Sequence, residues 1–205
     1  IWVQGDYKNL QIHLGKLTYA TKADYGLIMN RYITGGSVIA GGKSVKVALS
    51  LGRVNADDNK LDPNYTYRAN GVGASTLAGD TASYGAIEVY NGRSNRFTWG
   101  LGYHQFRNLR SMTFNNVTVS NDDNYGIFNL GLGYKFTPEL KLTGAWARAM
   151  SIDPVDGYEF GSTAKNSYAF QLEYRGAVPT KVNSWGVYVA WRQIGQLAST
   201  GWTHY

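Results

Sequence analysis

The sequence contains no cysteine. That excludes disulfides and thiolate-held metals, and it leaves the redox compartment unmarked. Proline is scarce, and Pro63, Pro138, Pro154 and Pro179 all fall between patterned segments, where a missing N–H breaks no ladder. The three histidines, His13, His104 and His204, show no metal-ligand spacing. No long apolar run occurs, and the mean hydropathy is -0.32. A membrane-crossing helix, which needs about 20 apolar residues, is therefore excluded. A membrane-crossing strand is not, because only every second residue of such a strand meets lipid. The formal charge of +6 is scattered, with no basic run, which argues against nucleic acid as a partner. A secretory leader is also missing: Ile1–Asp6 reads as mid-strand, so the chain is expected to be part of a longer protein.

What the sequence has is alternation. Period-2 runs recur at Lys8–Leu17, Ser44–Arg53, Ser83–Tyr90, Arg96–Phe106, Tyr125–Phe136, Asn166–Arg175 and Trp185–Ile194. Weaker ones fit Ile1–Asp6, Arg31–Ala40 and Lys141–Ala149, giving about ten strands in all. In Arg96–Phe106, for example, Phe97, Trp99, Leu101 and Tyr103 share one face, opposite Thr98, Gly100, Gly102 and His104. Roughly 10 alternating residues are what a tilted strand needs to cross ~25 Å of hydrocarbon.

The connectors fall into two classes that alternate strictly. Short ones lie near Asp6–Lys8, Gly41–Lys43, Asn91–Asn95, Thr137–Leu140 and Gly176–Asn183. Long polar ones lie near Thr18–Asn30, Val54–Ala82, Arg107–Asn124 and Met150–Lys165. An antiparallel meander then carries every short turn at one end and every long loop at the other, the asymmetry of outer-membrane barrels. The aromatics sort in the same way. Phe97, Trp99, Tyr134, Phe136, Tyr174 and Trp185 gather toward the short-turn end of the inferred lipid face, and Tyr103, Phe128, Tyr168 and Trp191 toward the long-loop end. Two such belts suit rings that prefer the headgroup level. The fold expected is an all-β, antiparallel, up-and-down transmembrane β-barrel, porin-like and larger than the ten strands in view. The chain 1–205 is read as one barrel domain, located in a bacterial outer membrane. A soluble β-sandwich or lectin-like binding module is the competing class.

Two segments sharpen the reading. Phe128–Ala149, which holds Asn129-Leu130-Gly131-Leu132-Gly133-Tyr134-Lys135-Phe136-Thr137-Pro138-Glu139-Leu140, looks like paired porin strands, and so does Ser184–Gln193. With Tyr25–Asn30, they resemble the OmpM-type porins of diderm Firmicutes, whose barrels accompany an S-layer homology domain. The resemblance implies a homotrimeric diffusion channel for small hydrophilic solutes, tethered to peptidoglycan through that domain. No such domain lies in these residues.

On the water-facing side the charged residues expected to line a pore are Lys46, Arg96, Lys135, Lys141, Arg175 and Arg192 against Glu88 and Glu173, with His104 and His13 beside them. A cationic lumen of this kind lowers the barrier to anions, so a weak anion preference is expected. Small residues on this face are expected to keep the bore open. The segment Thr18–Asn30 mixes polar and apolar residues and is a candidate constriction, with Lys22, Asp24 and Arg31 toward the pore; an external loop packed on its neighbours is the alternative. Asp57, Asp58 and Asp62 lack the spacing of a calcium loop and read as solvated acids. No nucleophile elbow, phosphate loop or ligand cluster accompanies His104, so neither catalysis, cofactor nor metal is expected.

Overall fold

A segment whose side chains alternate apolar and polar has two unlike faces when extended, and it is stable only in a sheet whose two sides meet different surroundings. The computed structural model of the chain describes residues 2–42, 44–54, 75–77, 82–92, 95–107, 112–114, 117–119, 124–150, 161–176, 180, 183–195 and 197–199. In chain order its strands are β1 (Trp2–Tyr7), β2 (Leu10–Ala20), β3 (Asn30–Gly41), β4 (Lys46–Val54), β5 (Ser75–Leu77), β6 (Ala82–Tyr90) and β7 (Phe97–Arg107). They continue as β8 (Met112–Phe114), β9 (Val117–Val119), β10 (Asn124–Lys135), β11 (Leu140–Met150), β12 (Asn166–Tyr174) and β13 (Val187–Gln193). The single helix among the described residues, α1 (Ser162–Lys165), is one turn long.

Ten strands form one antiparallel meander in the order β1-β2-β3-β4-β6-β7-β10-β11-β12-β13. Each of the ten expected runs has become one of them, displaced at the ends by a few residues. The all-β, up-and-down architecture is thus established. The sheet is open, however: β1 pairs only with β2, and β13 only with β12, among the described residues. Three short strands were not expected. β5, from the connector after β4, pairs with β8, which pairs with β9, both from the connector after β7. Two loops read as merely polar therefore pair with each other, at the long-loop end.

The register has a consistent stagger. The row Tyr7–Leu10–Ala40–Val47–Val89–Leu101–Leu130–Trp146–Tyr168–Gln193 runs directly across all ten strands. It starts at the short-turn end of β1 and finishes at the long-loop end of β13. Rows that climb in one direction mean strands inclined to the sheet's long axis, the offset that barrel geometry requires.

The two faces are inverted relative to a water-soluble protein. In β4, Val47, Leu49 and Leu51 are exposed while Ala48 and Ser50 are buried, with Leu51 at 71% against Ser50 at 1%. In β7 the exposed residues include Phe97, Leu101 and Tyr103, and the buried ones Thr98, Gly100, Gly102 and His104. The apolar face continues through Leu132, Leu142, Phe170, Leu172 and Val189 to Trp191. The chain's packed core lies on the opposite, inner face, at its long-loop half. There Leu17, Tyr19, Ile33, Val54, Tyr84, Phe106 and Ile127 meet Leu27, Ile28, Met29, Leu197 and Ala198.

Candidate functional site

The β2–β3 connection, residues 21–29, lies on the inner face of the sheet and not outside it. Asp24 makes this local shape. Its carboxylate accepts hydrogen bonds from the Thr21 hydroxyl, from the Gly26 N–H at 3.0 Å and from the Ile28 N–H at 3.0 Å. The Thr21 N–H also bonds the Met29 carbonyl at 3.0 Å, which closes the base. Tyr25 and Gly26 take positive φ angles of 59° and 88°, and the chain reverses there.

Glu88 of β6 anchors this segment. One carboxylate oxygen accepts from the Lys22 N–H at 2.5 Å and from the Ala23 N–H at 2.8 Å; the other accepts from the Tyr19 hydroxyl at 2.8 Å. Glu88 itself is 1% exposed. Hydrogen bonds to an ionised acceptor are roughly twice as strong as neutral ones, and burial removes the competition from water. The network continues inward: the Tyr84 hydroxyl lies 3.3 Å from that of Tyr19 and 2.7 Å from His104 Nδ1. His104 Nε2 and both amide atoms of Asn129 are buried with no hydrogen-bond partner among the described residues.

Glycines of β7 and β10 form the seat. A Cβ on Gly100 would lie 2.6 Å from the Ala23 Cα, and one on Gly131 would run into the Ala23 carbonyl oxygen. Any side chain at either position displaces the segment. The inner-face glycines, expected to hold a bore open, instead make room for residues 21–29. Farther along, the Tyr25 hydroxyl bonds Thr98 Oγ1 at 2.7 Å, and Lys141 Nζ lies 5.5 Å from the Tyr25 ring centroid. From the other side, the Ser199 hydroxyl donates to the Leu27 carbonyl at 3.2 Å. The stretch around it is held by Gly195 N–H to Ser167 Oγ at 2.8 Å and Leu197 N–H to the Ala164 carbonyl at 2.9 Å.

The expected pore-lining residues separate into three groups. Lys46, Lys135, Lys141, Glu173 and Arg192 are half-buried on the inner face, with Lys135, Lys141 and Glu173 directly adjacent across β10, β11 and β12. The Arg192 guanidinium reaches Gln171 at 3.2 Å. Glu88 and His104 are not lining residues but members of the buried network under residues 21–29. Arg96 and Arg175 leave the inner face altogether: Arg96 lies 5.3 Å from the Tyr134 ring centroid, and Arg175 lies 5.5 Å and 5.0 Å from those of Tyr174 and Trp185. Both sit at strand ends, where a long side chain can fold onto either face. Arg175 also bridges Glu139 at 3.2 Å, a hydrogen bond that pushes its guanidinium further above the usual arginine range.

Of the constriction candidates, Lys22 is half-buried, its ammonium 5.6 Å from the Tyr19 ring centroid, and Asp24 is enclosed in the turn it shapes, 1% exposed. The Arg31 side chain lies outside the described residues, as do Asp57, Asp58, Asp62 and His204. The belt aromatics all belong to the outer side: Phe97, Tyr103, Tyr134, Phe136, Tyr174, Trp185 and Trp191 are exposed, and Trp99, Phe128 and Tyr168 are half-exposed there. Sequence reasoning missed Tyr19, Tyr84 and the glycines as supports of the inner segment. The nearest signal was the run of apolar residues Leu27-Ile28-Met29 inside a connector otherwise polar.

No protein-family model matches the chain. No curated protein sequence matches it either.

Proposed function

We propose that the chain is the wall of an outer-membrane, porin-like channel through which small hydrophilic solutes diffuse passively. The observation that carries this is the inverted sheet. An apolar face spanning ten strands, flanked by aromatic rows, stands exposed, while the opposite face carries glycines, hydroxyls and charges beside the packed core of its long-loop half. Exposed apolar area costs ~25 cal/mol per Å² in water, and contiguous patches above a few hundred Å² mark a membrane or a partner. A bilayer matches this face in chemistry and in the length of its strands. The staggered register supports closure into a barrel with further strands, and the sequence resemblance to OmpM-type porins agrees with that. In this reading residues 21–29 narrow the pore, and Lys46, Lys135, Lys141, Glu173 and Arg192 line the water path beside them. The resemblance also implies a homotrimer and a peptidoglycan tether carried by another domain.

The test is reconstitution of the protein into a planar bilayer. Stepwise single-channel conductance is expected, together with a dependence on detergent for solubility and a mobility shift on gels after heating. A monomer that remains soluble without detergent and conducts nothing would instead identify a soluble β-sandwich or lectin-like module.

A further inference from the structure

The charges of the chain are not shared evenly between its two classes of connector. The short connectors (8–9, 42–45, 91–96, 136–139 and 175–186) hold six basic residues, Lys8, Lys43, Arg93, Arg96, Arg175 and Lys181, against Glu139 alone. The long connectors (21–29, 55–81, 108–123 and 151–165) hold five basic residues against ten acidic ones. Among the described residues, the meander places Lys8, Arg96 and Arg175 together at the short-connector end of the strands. Counted along the sequence, the short connectors carry a net +5 and the long connectors a net −5.

The basic rim is also joined to the apolar face. The guanidinium of Arg96 covers the Tyr134 ring, that of Arg175 covers the Tyr174 and Trp185 rings, and Lys8 Nζ lies 5.4 Å from the centroid of the Tyr7 ring. All four rings are exposed. Arg175 gives its Nε–H to Glu139 and Arg96 its Nε–H to the Lys135 carbonyl, but a guanidinium over an aromatic has further N–H groups for another acceptor. At the level where rings sit between acyl chains and water, that acceptor is a phosphate. We infer that the short-turn rim is a binding surface for the phosphate headgroups of anionic phospholipids, with Arg96 and Arg175 as its anchors. This rests on the membrane reading above. Zwitterionic lipids present the same phosphate beside a compensating ammonium, so the rim prefers lipids of net negative charge. Each basic side chain at an anionic leaflet contributes roughly a fivefold gain in affinity.

The experiment uses the protein in vesicles of phosphatidylcholine and phosphatidylglycerol, with either lipid brominated in its acyl chains, and reads quenching of tryptophan fluorescence. At low salt, brominated phosphatidylglycerol is expected to quench as if enriched about fivefold around the protein. The R96Q/R175Q double variant should bring the two lipids close to parity. Raising the salt to about 1 M, where screening acts within ~3 Å, should do the same to the unaltered protein. This arm stands even if the variant fails to insert. Equal quenching by both lipids at low salt would overturn the rim proposal while leaving the membrane reading intact. Quenching by neither lipid would overturn both.

Discussion

Glu88 shows how one carboxylate can decide the state of an interior. Read along the strand, it is a polar residue at an inward position, which is how an aqueous lining looks. Its partners lie far away in sequence: the N–H groups of Lys22 and Ala23 and the hydroxyl of Tyr19. Nothing periodic links positions so distant, so its anchoring role was not legible, although its inward direction was. Glu88→Gln keeps the shape and lets the amide oxygen face the two N–H groups, but it removes the charge from those bonds and turns an NH2 donor toward the Tyr19 hydroxyl. Hydrogen bonds to charged groups contribute about 1.5–3 kcal/mol each, so a loss of about 2–3 kcal/mol is expected in denaturant unfolding of the detergent-solubilised protein. Gly131→Ala tests the seat from the opposite side. The added methyl has to displace the Ala23 carbonyl, and such overpacking costs about 1–3 kcal/mol. In a bilayer, larger or noisier unit conductance should accompany that loss. Unchanged stability and conductance in both variants would remove residues 21–29 from the pore.

At the scale of the element, strands and connectors differ in what a sequence can show. A strand with two unlike faces prints its period into every second residue, and all ten wall strands were legible for that reason. Their ends were less so, because turn residues such as Lys8 and Arg175 adopt positive φ without being glycine. The inward course of 21–29 depends on single contacts with Glu88, Gly100 and Gly131, and the pairing of β5 with β8 on contacts between connectors; neither leaves a period. The candidate site was accordingly legible in part: Lys46, Lys135, Lys141, Glu173 and Arg192 face inward, but Arg96 and Arg175 turn to the outer rings. The faces themselves can be tested directly, since a chain without cysteine accepts single cysteines one at a time. Cysteines at Leu49, Leu101 and Leu172 should be shielded from a water-soluble thiol reagent in vesicles and reached by a lipid-borne quencher. Gln171→Cys and Lys135→Cys, on the inner face, should react. Loss of this alternation along β12 would mean that the exposed face meets something other than lipid.

For the whole molecule, the question is which ions the proposed channel admits. Among its half-buried ionisable side chains, Lys22, Lys46, Lys135, Lys141 and Arg192 outnumber Glu173, and Glu88 is spent on the backbone of the inner segment. Lys135 and Lys141 are direct cross-strand neighbours, and Lys141 also lies against Tyr25 of the inner segment. Charges close to a constriction act within a Debye length of every passing ion, whereas charges in a wide vestibule are screened. The proposed channel should therefore prefer anions, and the preference should reside mostly in this pair. Under a salt gradient the reversal potential is expected to report an anion-to-cation permeability ratio above one. The K135E/K141E variant should invert that preference, shifting the ratio by roughly twofold or more. An equal change at Lys46, farther along the sheet, should have a smaller effect. If Lys46→Glu shifts selectivity as much as the pair does, the narrowest point lies nearer β4 than the Tyr25 contact implies. If neither shifts it, ions pass along a surface other than this one.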